Sequence, residues 1–97
     1  DMSVTLEQAA EALNGKLDAG EFDSTAKFQI EGLGAIMLDG AGARAGDEEA
    51  DVTMTADADT FQAILDGELN PTAAFMSGKL TIDGDMGAAM KLAAALA

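Results

Sequence analysis

Residues 68–97, ELNPTAAFMSGKLTIDGDMGAAMKLAAALA, hold the local signals that decide the fold of this chain. Asn70 followed by Pro71 predicts a helix start, because asparagine caps helix N-termini and proline has no N–H to lose at the first helical position. Gly78 predicts the end of that helix, because glycine readily adopts the left-handed conformation found at helix C-termini. The pattern therefore predicts one short helix between these two signals.

A strand and a final helix follow the short helix. Residues 79–83 alternate polar and apolar side chains, which predicts a strand with Leu80 and Ile82 on one face. Gly84 then turns the chain, and Asp85 is placed to cap the last helix. The alanine-rich segment after it is a strong helix former, so we expect an ordered helix there rather than a disordered tail.

The beginning of the chain predicts another amphipathic helix. Thr5 and Gln8 have the spacing of a capping box, in which two side chains satisfy free N–H groups at a helix start. Asn14 and Gly15 weaken the last turn of this helix. Its apolar face is predicted to consist of Leu6, Ala9, Ala10, Leu13 and Leu17.

Alternation with a period of two follows between residues 26 and 56, with glycine-containing turns at 32–34 and 40–42 and a short strand possible at 43–45. This pattern is typical of an antiparallel sheet with one face in solvent. Asp57 then predicts the cap of a helix that ends at Gly67. The apolar side chains of these strands and of this helix are predicted to be Ala26, Phe28, Ile30, Ile36, Leu38, Val52, Met54, Phe61, Ile64 and Leu65.

The predicted order is a helix, three or four strands, two helices, one strand and a helix. This order defines the α+β class, in which helices cover one face of a sheet. The length of 97 residues suits one domain, residues 1–97, with a single core.

The charge of the chain excludes some partners. Eighteen acidic residues against five basic ones give a formal net charge of −13. We expect no nucleic-acid binding and weak or no binding to anionic membranes, since both need clustered basic residues. A solvated acidic surface explains this charge, while salt adaptation and weak cation binding by Asp47, Glu48, Glu49 and Asp51 stay open.

Composition also bears on location and catalysis. The chain has no cysteine, no apolar run near the ~20 residues of a membrane span, no visible signal peptide and no peroxisomal address at its end, so we expect a cytoplasmic protein. It also lacks histidine and tyrosine, and its three serines therefore have no histidine partner. We expect no catalytic residues, no cofactor and no metal site.

Three short motifs have ordinary structural explanations. Residues 40–45, GAGARA, match a dinucleotide fingerprint ending in alanine, but an acidic loop follows where a helix is required, which favours a hairpin turn. Residues 57–59 begin like a calcium loop but lack the later oxygen ligand and glycine. Asp23-Ser24-Thr25 is the nearest match to an acyl-carrier attachment site, yet it leads into a strand rather than a helix.

The six methionines are the most informative group of side chains. Met86 and Met90 lie one turn apart on the last helix, in a stripe with Ala89, Ala93 and either Leu96 or Ala97. Methionine lines adaptable apolar cavities well and also fills ordinary cores. The spacing alone favours core packing over a ligand cavity and leaves both open.

Residues 67–85 resemble the C-terminal signature of the sterol carrier protein type 2 family, in the pattern G-x-L-x-P-x-x-A-F-x-x-G-K-L-x-I-x-G-D. The resemblance implies a largely antiparallel sheet of about five strands with helices packed on one face and an apolar tunnel between them. It further implies non-enzymatic binding of a fatty acid, acyl thioester, phospholipid or sterol. Flexible methionines and only four aromatic residues suit an acyl chain better than a sterol ring.

The resemblance also implies which residues line the tunnel. Pro71, Gly78, Gly84 and Asp85 are expected to shape the fold rather than to touch a ligand. The alternative is a structural or interaction module of the same fold with a filled core, which acts through a protein partner or a dimer. The oligomeric state stays open. The implied lining residues are Phe28, Ile36, Leu38, Met54, Phe61, Ile64, Leu65, Phe75, Met76, Met86, Met90 and Ala93.

Overall fold

A computed structural model describes residues 5–17 and 22–96 of the chain. Over these residues the order of elements is α1, β1, β2, β3, β4, α2, α3, β5 and α4, which confirms the predicted α+β class. The helices are Leu6–Lys16 (α1), Ala58–Leu65 (α2), Pro71–Met76 (α3) and Met86–Leu96 (α4). The strands are Ala26–Glu31 (β1), Gly34–Asp39 (β2), Gly42–Ala45 (β3), Val52–Asp57 (β4) and Thr81–Gly84 (β5).

The five strands form one sheet in the order β3-β2-β1-β4-β5. Three of the four strand pairs are antiparallel, and the central pair, β1 with β4, is parallel with Phe28 opposite Met54. The predicted largely antiparallel sheet is therefore confirmed, with a parallel pair at its centre. After β1 the chain forms the β2–β3 hairpin on one side of β1. It then crosses to the other side, where β4 runs parallel to β1.

The core lies between the helices and the inner face of the sheet. Every second residue of β1 and β4 is buried, as the alternation predicts, and the rings of Phe28 and Phe61 pack 5.5 Å apart at an angle of 58°. Leu13 of α1 and Leu92 of α4 complete this core from the helical side. Each of these side chains is withdrawn from water, which is the main favourable contribution to folding.

The outer face of the sheet is drier than the alternation predicts. Ala35 and Met37 of β2 point away from the core and are nevertheless buried. The acidic segment 46–50 covers them, since the Glu48 N–H donates to the Met37 sulfur at 3.4 Å and the Gly46 N–H donates to the Ala35 carbonyl at 3.1 Å. The segment 46–50 has no helical or strand-like spacing of apolar residues, so the sequence does not predict that it covers the sheet.

The predicted helix starts are confirmed in detail. Thr5 and Gln8 form both hydrogen bonds of a capping box, at 3.1 and 3.0 Å. The Asp57 carboxylate accepts the Thr60 N–H at 2.7 Å, which holds the pKa of Asp57 below its ordinary value of 3.8. The Asn70 side chain likewise accepts the N–H groups of the first turn of α3, next to Pro71.

The end of α3 explains why β5 begins later than predicted. The Gly78 N–H donates to the Phe75 carbonyl and the Lys79 N–H to the Ala74 carbonyl, at 3.2 and 2.9 Å, which is the Schellman pattern. Leu80 also donates its N–H to Ala74. Lys79 and Leu80 thus complete the helix cap, and the strand starts at Thr81 instead of residue 79.

Gly84 allows the tight turn from β5 into α4. Its φ is +112°, a conformation that other residues rarely adopt, and a Cβ there would overlap the Asp51 carbonyl oxygen. The next N–H, that of Asp85, donates to this same oxygen at 2.9 Å. The Asp85 carboxylate then accepts the Gly87 N–H at 2.9 Å, which confirms the predicted cap of α4.

Candidate functional site

A cavity of about 420 Å³ lies between α3, β5 and α4, at the β5 edge of the sheet, and is partly open to solvent. The lining is predominantly apolar, and Thr72 is the one residue in it with a polar side chain. A volume of this size falls in the range of small-molecule sites, roughly 300–1,000 Å³. The residues that line the cavity are Pro71, Thr72, Phe75, Met76, Ile82, Met86, Ala89, Met90, Ala93 and Ala94.

The space arises from the side chains that α4 presents to α3. Ala89 and Ala93, one turn apart, leave room that larger residues would fill, while Met86 and Met90 border it with long flexible side chains. Ile82 of the short edge strand β5 closes one wall. The inner side chains of the central strands belong to the continuous core, over which α2 packs on β1 and β4, α4 packs on β4, and α1 packs on β2 and β3.

The mouth of the cavity exposes large apolar side chains. Phe75 is 41% exposed, Met76 80%, Met86 45% and Met90 69%. Together these four residues, which we call the apolar mouth, form a contiguous surface around the opening. Exposed apolar patches rarely persist in soluble proteins without a partner or a ligand. The mouth is therefore a candidate surface for binding a ligand or a partner.

The two helices around the mouth are free of acidic residues. None of the eighteen acidic residues falls within Pro71–Met76 or Met86–Leu96, although the net charge is −13. Lys91, the one charged residue on these helices, donates to the Asp23 carboxylate at 3.1 Å. This contact lowers the pKa of Asp23, and both side chains are largely exposed, so the pair is worth little stability.

The structure brings together five of the twelve residues predicted to line a tunnel. Phe75, Met76, Met86, Met90 and Ala93 border the cavity. The other seven lie elsewhere, in or against the continuous core between the helices and the sheet. Six are buried in the core, Phe28, Ile36, Leu38, Met54, Phe61 and Ile64, and Leu65 is half-buried against that core.

Five further lining residues were not predicted. Thr72, Ala89 and Ala94 are too small or too polar to stand out as ligand contacts, although Ala89 shares the methionine stripe of α4. Ile82 was predicted only as one face of a strand. Pro71 was expected to shape the fold, and it is both the first residue of α3 and part of the cavity wall. Alternation and helical spacing predict which face of a strand or helix a residue lies on. They do not predict where two packed elements leave a cavity between them.

Charged groups elsewhere in the described residues form pairs rather than clusters. Lys27 bridges Asp47 at 2.8 Å, and Arg44 bridges Asp39 at 3.0 Å, which lowers the pKa of Asp39 and raises that of Arg44. Within the described residues, no group of three or more histidine, cysteine or acidic side chains is arranged to hold a metal ion. The helices of the same ranges include none that is long and apolar enough to cross a bilayer.

The chain belongs to the SCP-2 sterol transfer family, whose profile matches residues 5–97. It is 59% identical over 44 residues to hydroxysteroid dehydrogenase-like protein 2 of Danio rerio and 50% identical over 46 residues to human sterol carrier protein 2. These matches cover 45% and 47% of this chain. Both relatives are much longer, since the matches cover only 11% and 8% of their lengths.

Solved structures share the fold. Palmitated sterol carrier protein 2-like 2 of Aedes aegypti superimposes with a TM-score of 0.74 over 96% of this chain and 95% of that one, at 22% identity. Sterol carrier protein 2 of Aedes aegypti, in complex with palmitate, gives a TM-score of 0.72 over 99% and 97%, at 21% identity. At these identities the likeness establishes the fold alone.

Proposed function

We propose that this protein binds and carries an apolar lipid without catalysing a reaction, and that the lipid occupies the cavity between α3, β5 and α4. The observation that carries the proposal is the apolar cavity of about 420 Å³ whose opening is surrounded by the exposed apolar mouth. Membership of the SCP-2 sterol transfer family supports the same conclusion. The chain lacks histidine, cysteine and tyrosine, which agrees with carriage rather than chemistry.

An acyl chain fits this site better than a rigid ring. Met76, Met86 and Met90 are unbranched and can follow the shape of a flexible chain, whereas Phe75 is the one aromatic residue that lines the cavity. Two of the structural neighbours contain palmitate, and this supports a fatty acyl ligand here. The polar head would remain at the opening, because burying an unpaired charged group in apolar walls is costly.

The charge distribution bears on where the lipid is taken up. A net charge of −13 disfavours contact with anionic bilayers, while the helices around the mouth carry no acidic residue and one basic residue, Lys91, which is paired with Asp23. We therefore expect exchange with neutral lipid surfaces or with free fatty acid, and little or no exchange with anionic bilayers. Binding to nucleic acid is not part of the proposed function.

The proposal is tested by filling the cavity from α4. Ala93→Trp places an indole at a lining position, and Ala95→Trp places the same group at an exposed position on the same helix that does not line the cavity. Palmitate binding is titrated by native mass spectrometry, after delipidation and identification of any lipid that co-purifies. We expect Ala93→Trp to weaken palmitate binding strongly and Ala95→Trp to leave it unchanged.

The introduced indole also reports on its own position. Because the chain has no other tryptophan and no tyrosine, the fluorescence of the introduced indole has no background from these residues. Emission from Trp at position 93 should lie at shorter wavelength than emission from position 95, since the first is shielded by the cavity walls. Equal palmitate affinity in the two variants, with both folded by circular dichroism, would refute the assignment of the cavity as the lipid site.

A second candidate function is that of an interaction module with a filled core. It is favoured by one observation: the inner face of the sheet is packed with side chains such as Ile36 and Met54, and leaves the apolar mouth as an external surface. In that case the mouth would be covered by a protein partner or a second copy. Protein that binds no palmitate and co-purifies with a stoichiometric partner through the mouth supports this candidate instead.

A further inference from the structure

The methionines of the described chain fall into two classes by exposure. Met37 and Met54 are 1% and 2% exposed, whereas Met76, Met86 and Met90 are 80%, 45% and 69% exposed. All three exposed methionines border the cavity. The surface-accessible thioethers in the described residues are therefore concentrated at one functional location rather than scattered over the surface.

The methionine thioether is also the side-chain group of this protein that reacts most readily with mild oxidants. The chain contains no cysteine, tryptophan, tyrosine or histidine, so no other easily oxidised side chain competes with methionine. We propose that Met76, Met86 and Met90 form a reversible oxidation site that controls ligand binding at the mouth. This inference rests on the proposed lipid-binding function and adds a form of regulation to it.

The reaction needs only a two-electron oxidant such as hydrogen peroxide. The thioether sulfur attacks one peroxide oxygen, the O–O bond breaks and an S–O bond forms. The proton on the attacked oxygen moves to the departing hydroxide, which leaves as water. The sulfur loses two electrons and the peroxide gains them. Methionine sulfoxide reductases, one enzyme for each sulfoxide epimer, restore the thioether. A dithiol supplies two electrons and two protons and becomes a disulfide, and the sulfoxide oxygen leaves as water.

Oxidation changes the property on which the site depends. A sulfoxide is polar and hydrated, whereas the thioether that it replaces is apolar and flexible. A ligand that covers a sulfoxide must remove its water, and Thr72 is the one polar side chain in the lining that could compensate. Affinity should therefore fall by roughly tenfold for each sulfoxide that the ligand covers.

The buried methionines provide an internal comparison. The Met37 sulfur lies under the segment 46–50 and accepts the Glu48 N–H at 3.4 Å, and Met54 lies in the core opposite Phe28 of the neighbouring strand. Peroxide reaches neither sulfur without local opening of the fold. Selective oxidation of the mouth is thus expected even though all these residues are chemically identical.

The test treats the intact, delipidated chain with limiting hydrogen peroxide and locates sulfoxides by tandem mass spectrometry. We expect oxygen to be added to Met76, Met86 and Met90 before Met37 and Met54. Palmitate affinity is measured before peroxide, after it, and after reductases of both epimer specificities with a dithiol. We expect a loss of roughly tenfold or more after peroxide and its recovery after reduction.

Two variants keep the result interpretable. The triple variant Met76→Leu, Met86→Leu and Met90→Leu removes the oxidisable groups with little change in volume, and its own affinity, whatever its value, should not respond to peroxide. Met37→Leu is the matched control, and its affinity should respond as that of the unmodified chain does. A fall in affinity of the triple variant equal to that of the unmodified chain would overturn the inference.

The outcomes separate this inference from the proposed function. Palmitate binding that survives oxidation of all three mouth methionines refutes the oxidation switch and leaves the lipid site intact. Oxidation of Met37 and Met54 as early as the mouth methionines refutes the selectivity. Absence of palmitate binding by the unoxidised chain refutes the proposed function and the switch with it.

Discussion

The volume of the cavity predicts how fatty acid affinity depends on chain length. One water occupies about 30 Å³ in the liquid, and a methylene group is of similar size, so 420 Å³ holds roughly 14 heavy atoms. Each methylene buried contributes about 0.8 kcal/mol, which corresponds to roughly fourfold in affinity. Affinity should therefore rise about fourfold per added carbon for short chains and level off near myristate, once the cavity is full.

The assay is calorimetric titration of the delipidated protein with a series from octanoate to stearate, below the aggregation concentration of each acid. Ala95→Trp is the matched control, since it should show the same slope and the same plateau. In Ala93→Trp the plateau should move to shorter chains, because the indole takes up part of the volume. An affinity that climbs steadily through stearate, or that ignores chain length, would contradict the reasoning.

Three further predictions concern the stability of the fold. Gly84→Ala should lower the free energy of unfolding by more than the ~1–3 kcal/mol of an unfavourable backbone conformation, since the new Cβ also meets the Asp51 carbonyl. Gly78→Ala places its Cβ in open space, so it should cost only the conformational part. Urea unfolding measures both. Ionised Asp57 should stabilise the fold above pH 3.8, and this contribution should be lost as the pH falls through the lower pKa of the folded state. The free energy of unfolding should therefore differ between the unmodified chain and Asp57→Ala by about 1 kcal/mol near neutral pH, and this difference should shrink in acid. Sodium chloride should raise the thermal midpoint, because the Debye length falls from about 10 Å at 0.1 M to about 3 Å at 1 M and repulsion among carboxylates is screened; a midpoint that falls with salt would contradict this.

Much of the fold follows from local signals in the sequence. The caps at Thr5, Asp57, Asn70 and Asp85 were all predicted, because each needs only a side chain and an N–H two or three residues away. The alternation in β1 and β4 predicts their inner faces correctly for the same reason. Interactions within a few residues leave a readable pattern in the sequence.

Interactions between distant segments leave a weaker pattern. The parallel pairing of β1 with β4 depends on where the β2–β3 hairpin folds, and alternation is the same in parallel and antiparallel strands of this kind. The burial of Met37 depends on the irregular segment 46–50. The position of the cavity depends on Ala89 and Ala93 facing α3, which becomes visible only when both helices are placed on the sheet.

The acidic composition of the chain offsets the tendency of the apolar mouth to cause self-association. A protein that presents Phe75, Met76, Met86 and Met90 to water would tend to associate through them, because contact between two such surfaces removes apolar area from water. A net charge of −13 opposes the approach of a second copy, while α3 and α4 themselves carry no acidic residue. The repulsion acts between whole molecules, whereas a small lipid meets apolar side chains at the opening, with Asp83 and Asp85 next to it in the chain. The acidic surface thus helps to keep copies of the protein apart while the site stays apolar and open to a small ligand.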